Sequence, residues 1–119
     1  MSELLELSAA QAAERVRSGE IESRELFEDY RRRATDEDLG AFLWVADEPP
    51  QAEDLSQLPL GGVPLAVKDL FCTEGVPSQA ASRVLKGYCP PYTATVVDRL
   101  RRAGAPLLGN CLLYTSDAA

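Results

Sequence analysis

Histidine is absent from the 119 residues, and that removes the commonest general base. No Ser-His-Asp or Cys-His arrangement can be assembled within the chain. Hydrolytic or transfer chemistry would need another base, and lysine is the obvious substitute. Cysteine is scarce: Cys72, Cys89 and Cys111 are an odd, widely spaced set without a C-x-x-C pair, which reads as reduced thiols rather than a disulfide frame or a zinc site. No apolar run approaches the ~20 residues that span a bilayer, and Met1-Ser2-Glu3-Leu4 lacks the basic start of a secretory signal. A cytoplasmic protein without membrane contact is expected.

Positive charge is also in short supply, and unevenly so. The formal net charge is −7; residues 1–58 carry 15 acids and 6 bases, residues 59–119 carry 4 acids and 6 bases. An acidic first half repels a phosphate backbone, so the chain is not expected to bind nucleic acid by itself. Arg31-Arg32-Arg33 fits the last turn of a helix, where cations suit the macrodipole. The length suffices for one modest domain, and 45% hydrophobic with 26% charged residues is ordinary for a globular protein.

What the chain does have is a short apolar run that ends in charge. In Gly61-Gly62-Val63-Pro64-Leu65-Ala66-Val67-Lys68-Asp69 every residue from Val63 to Val67 is small or apolar, which predicts a strand covered on both faces. Pro64 points to a strand start or an edge. An ammonium carried to the end of such a strand loses water, which makes Lys68 a candidate proton acceptor. On the local pattern alone, a purely structural Lys68–Asp69 neighbourhood at a strand end is the favoured reading.

The rest of the chain alternates helices and strands. Ser8 and Gln11 fit a capping box ahead of Ala9, Ala12, Ala13 and Val16, a helix stopped by Gly19. Ser23 is expected to cap a second helix in which Leu26, Phe27, Tyr30 and Ala34 share a face and Glu28 pairs with Arg32. Together they predict a helical hairpin over 8–34. Ala41–Ala46 reads as a buried strand with Trp44 in the core, and Asp47–Leu58 as an acidic connector with a short helix near Pro50. Residues 70–82 predict an ordered loop at the C-terminal end of the Lys68 strand, where α/β folds place their sites. Thr93 or Thr95 would cap a helix with Val96, Val97, Leu100 and Ala103 facing inward, followed by a strand over 105–109. Strand, loop, helix, strand is the grammar of an α/β fold.

Residues 62–69, Cys72-Thr73-Glu74-Gly75-Val76-Pro77, Ala81-Ser82, Pro90–Val97 and Ala103–Gly109 together resemble the amidase signature family. Within it they are similar to the branch of the aspartyl/glutamyl-tRNA amidotransferase A subunits, and Leu4–Ala9 and Ala41-Phe42-Leu43 extend the likeness over residues 4–109. The resemblance implies the N-terminal part of that fold, a mixed β-sheet covered by helices, with an α/β core over 41–109. It also implies a Ser-Ser-Lys triad in which Lys68 is the catalytic lysine and relays a proton from the serine pair. Both serines lie beyond residue 119. Ser78, Ser82 and Ser116 do not match them and read as loop polar groups.

By the same resemblance the intact form releases ammonia from glutamine. It works with B and C subunits on misacylated tRNA; ATP and Mg are used by one of those partners, and no cofactor belongs to this chain. A free-standing amidase acting on a small amide, and a non-catalytic interaction module with an acidic hairpin, are the alternatives. After Gly109 the family pattern continues with a lysine, an asparagine and an acidic-Phe segment, whereas this chain has Asn110–Ala119. That tail resembles translated adaptor read-through, so a truncated chain with a foreign tail over 110–119 is expected. Missing sheet partners would then leave Leu65, Val67, Val97, Leu107 and Leu108 partly exposed.

Overall fold

The computed structural model describes residues 3–37, 39–47, 55–80 and 82–111. After a 3-10 turn at Glu3–Glu6 come helices α1 (Ala9–Arg17) and α2 (Ser23–Asp36) and strands β1 (Phe42–Val45) and β2 (Leu65–Lys68). Helix α3 (Thr95–Arg102) and strand β3 (Leu107–Cys111) complete the described elements. This is an α/β arrangement with a mixed sheet.

The capping box forms as expected. Gln11 N–H donates to Ser8 Oγ (3.1 Å) and Ser8 N–H donates to Gln11 Oε1 (2.9 Å), which satisfies two donors at the start of α1. Ala12 and Val16 then pack with Leu4 and Leu26. In α2 the cap falls one residue earlier: Glu22 occupies it without a side-chain bond, and Ser23 is the first helical residue. Ser23 is instead packed against the turn at Gly62, where an added Cβ would lie 2.4 Å from Ser23 Cβ. Leu26, Phe27 and Ala34 are buried, with Tyr30 alongside. Glu28 pairs with Arg31 (2.6 Å) rather than Arg32, which reaches Asp29. Positions three and four apart are equally accessible on a helix surface, and the nearer arginine takes the carboxylate. The Arg31 guanidinium holds the Glu28 carboxyl below its ordinary range.

The hairpin docks on the sheet through α2, whose Phe27 and Ala34 cover Leu108 with Phe42, Val45 and Ala46 around them. Strand order is β1-β3-β2, with β3 antiparallel to β1 and parallel to β2. The middle position therefore belongs to β3, not to the Lys68 strand. β2 has one strand neighbour among the described residues; Val67 is buried but Ala66 is exposed, so it is not covered on both faces. Pro64 stands just before the strand, as a residue without N–H must. β1 is likewise half-buried, with Leu43 46% exposed. β3 runs through Asn110 and Cys111. Residues 112–119, and the connector segment 48–54 with its expected helix, lie outside the described residues.

Helix α3 has Ala94 at its N-cap with no side-chain bond; neither threonine caps it, because Thr93 Oγ1 accepts Glu74 N–H (3.0 Å) from the preceding loop. Val97 is buried, Leu100 and Ala103 are half-buried, and Val96 is 48% exposed, so the inward face is narrower than expected. The C-terminal end of α3 is tied to the start of β2: Leu60 N–H donates to Ala103 O and Gly62 N–H to Gly104 O, both 2.7 Å. Val67, Val97 and Leu108 are buried and Leu65 and Leu107 half-buried; the most exposed large apolar side chains among the described residues are Val84, at 92%, and Leu39.

The loop after β2 is ordered from within. Thr73 N–H donates to Ser78 Oγ (3.3 Å), whose hydroxyl donates to Val76 O (3.0 Å). Thr73 is 0% exposed, and its own Oγ1 has no hydrogen-bond partner among the described residues.

Two substitutions test this packing. Gly62 has φ +85, so Gly62→Ala is expected to cost about 2–4 kcal/mol, combining a left-handed backbone with overpacking against Ser23. A urea midpoint unchanged by Gly62→Ala would refute the docking of α2 on this turn. Thr73→Val removes a buried hydroxyl that bonds to none of the described residues and is expected to raise stability by about 1 kcal/mol; a lower midpoint in the same titration would show that the hydroxyl has a partner.

Candidate functional site

Lys68 is the last residue of β2, half-buried, and its register partner on β3 is Cys111. Parallel pairing sets the two side by side. Burial pushes the Cys111 thiol above its ordinary range, and the Lys68 charge opposes that shift. Phe71 N–H donates to Lys68 O (3.1 Å), which turns the chain sharply out of the strand.

The next residue is held more firmly still. Asp69 is 1% exposed; its N–H donates to Cys111 O (3.0 Å), its carbonyl accepts Ala80 N–H (3.1 Å) and its Oδ1 accepts Gln79 N–H (3.0 Å). A buried carboxylate needs such donors, because taking it out of water unpaired costs several kcal/mol. Ala80 adopts φ +49, in the left-handed region. The end of β2 is thus fastened to β3 on one side and to the 79–80 segment on the other. Asn110 adds a further tie, donating from Nδ2 to Pro77 O (2.7 Å).

The loop serines are occupied in local structure. Ser78 is buried in its bonds to Thr73 and Val76, and Ser82 Oγ accepts Val84 N–H (3.2 Å); Ser116 lies outside the described residues. Neither described serine is therefore brought to Lys68 as a free hydroxyl. No cluster of three or more His, Cys, Asp or Glu suited to a metal occurs among the described residues, and no described helix is long and apolar enough to cross a membrane.

Trp44, expected in the core, is half-buried and lines an open cavity of about 300 Å³ with Leu55, Glu74, Val76, Arg101 and Leu107. Lys68 is not part of that lining. Two features of the loop were not read from the sequence. One is the Asp69 carboxylate reaching ten residues ahead, for which no periodicity gives a signal. The other is Cys72 Sγ lying 3.5 Å from the Tyr92 hydroxyl, a contact that raises the Tyr92 phenol above its ordinary range.

The family described as Amidase matches residues 34–115. The A subunit of glutamyl-tRNA(Gln) amidotransferase from Anaeromyxobacter dehalogenans (strain 2CP-C) is 46% identical over 119 residues, covering 90% of this chain and 24% of the relative. The same-named protein of Chloroflexus aurantiacus (strain J-10-fl) is 44% identical over 128 residues, covering 93% and 26%. The chain thus spans about a quarter of the length of these curated relatives. Among solved structures, PAM12A superposes with TM-score 0.80 at 28% identity, over 92% of this chain and 25% of that one. 6-Aminohexanoate cyclic dimer hydrolase gives 0.77 at 29%, over 93% and 24%. The glutamyl-tRNA(Gln) amidotransferase A subunit of Thermotoga maritima gives 0.55 at 27%, over 92% and 22%. With most of its length matched and its α/β core superposing on these enzymes, the chain belongs to the amidase signature family.

Proposed function

We propose that this chain is the N-terminal quarter of an amidotransferase A subunit, the part that supplies the lysine of a Ser-Ser-Lys triad. The observation that carries the reading is Lys68 itself: a half-buried amine at a tethered strand end, in a chain with no histidine. The 40–46% identity to curated A subunits supports the choice of branch. In this reading a serine hydroxyl from the remaining three quarters attacks the glutamine side-chain amide. Its proton passes through a second serine to Lys68 Nζ and from there to the departing ammonia. The partner B and C subunits use that ammonia on misacylated tRNA. ATP and Mg²⁺ belong to one of those partners, and no residue of this chain is assigned to them.

A free-standing amidase is the second reading. It is favoured by the closer superposition on PAM12A (0.80) and the cyclic dimer hydrolase (0.77) than on the Thermotoga amidotransferase (0.55). The lysine does the same work in both readings; only the acceptor of the released nitrogen differs.

The purified 119-residue chain is expected to release no ammonia from glutamine, since Lys68 alone forms no acyl intermediate. Ammonia release that disappears in Lys68→Ala would overturn the reading. In a complete protein carrying this chain, Lys68→Ala should lower kcat about 10²–10⁴-fold with the melting temperature preserved. Lys68→Arg should not rescue it, because a guanidinium stays protonated; near-normal activity of the arginine variant would reduce Lys68 to an electrostatic post. Amide formation on misacylated tRNA, dependent on ATP and on the partner proteins, separates the amidotransferase reading from the free amidase, which needs neither.

A further inference from the structure

We propose that Asp69 is the positioning residue for Lys68, acting through its hold on Gln79 and Ala80. The inference rests on the reading of Lys68 as the proton-transfer group. β2 is only four residues long and has β3 as its strand neighbour, and Lys68 stands at its very end, where strands fray. A lysine side chain has four rotatable bonds, so any looseness of its Cα adds to the freedom its Nζ already has. A displacement of about 1 Å at a catalytic group costs on the order of 10²-fold in rate.

The β3 ladder holds Lys68 itself, and the residue that follows adds three further ties. Asp69 N–H donates to Cys111 O, and its carbonyl and carboxylate accept Ala80 N–H (3.1 Å) and Gln79 N–H (3.0 Å). The two acceptors grip adjacent amides, so residues 79–80 lie against the strand end like a second neighbour. Ala80 carries a left-handed φ of +49. Such a conformation persists in a residue other than glycine only where the surroundings over-determine it; here the bonds of Gln79 and Ala80 to Asp69 act together with the Ser82 N–H to Gln79 O bond (2.8 Å) that closes the turn. Asp69 is 1% exposed, and its Oδ1 meets the Gln79 amide inside the loop. Its task is geometric: what Gln79 requires of it is an acceptor oxygen, which an asparagine also offers and an alanine does not.

The test uses a complete protein carrying this chain, with kcat and KM for glutamine measured for Asp69→Asn, Asp69→Ala and Lys68→Ala. Asp69→Ala is expected to lower kcat about 10–100-fold with KM within about twofold, and Asp69→Asn to stay within about threefold of wild type. Wild-type kcat in Asp69→Ala, beside a large loss in Lys68→Ala, overturns the positioning role while leaving the function of Lys68 in place. A silent Lys68→Ala overturns both. Should the alanine variant fail to fold, the asparagine variant decides: a folded Asp69→Asn as impaired as Lys68→Ala means that charge, not geometry, is what Asp69 supplies. Hydrogen exchange gives an independent reading, with the Gln79 and Ala80 amides of Asp69→Asn expected to keep their protection; loss of that protection with kcat unchanged would also overturn the proposal.

Discussion

Strand β3 has to serve two neighbours and a helix at once. It hydrogen-bonds to β1 on one side and β2 on the other, while Leu108 is covered by Phe27 and Ala34 of α2. That crowding leaves room for nothing larger than glycine at 109, where an added Cβ would stand 2.3 Å from the Trp44 carbonyl oxygen and 3.0 Å from the Phe42 ring. A residue with a side chain at this place would push β1 off the sheet, and with it the apolar cover that α2 shares with Phe42 and Val45. The small residue is thus a condition for the strand order.

The candidate site inherits its geometry from that strand. Lys68 is held in place by the ladder between Leu65–Lys68 and β3, and the tether at Asp69 runs to Cys111 at the same strand's end. On the far side, the turn at Leu58–Gly62 is bonded to the end of α3, so the whole unit from Leu60 to Gly104 closes on itself before β3 begins. The lysine is therefore presented from a loop-strand-loop segment tethered at both ends, which suits the proton-transfer role proposed for it.

How much of this was legible depends on how local each cause is. The Ser8–Gln11 box was readable because both partners lie within one turn, and the buried face of α2 because Leu26, Phe27 and Ala34 repeat at helical spacing. The caps at Ser23 and Thr93 were misread for a shared reason: each residue is a good cap in isolation, and each is claimed by a distant partner, the Gly62 turn for one and the Glu74 amide for the other. Sheet order was not readable either. Val63–Val67 and Ala41–Ala46 are apolar enough for interior strands, and only the pairing with β3 decides that it holds the middle. Lys68 stood out because a charge ending an apolar run is conspicuous by itself, and the family resemblance supplied the role. The grip of Asp69 on Gln79 left no mark in composition or period.

The pairing of Phe42 with Cys111 and of Val45 with Gly109 also has a consequence in time. On a ribosome the chain emerges from its N-terminus, and β1 is complete long before any residue of β3 exists. At ~5–20 residues per second the wait is on the order of 3–12 s, against microseconds for the helices to form. During that interval α1 and α2 have no sheet to lie on, and Phe27, Phe42 and Trp44 face water or whatever binds them. The order of synthesis therefore places the helical hairpin ahead of the sheet, which the segment that carries Leu108 closes.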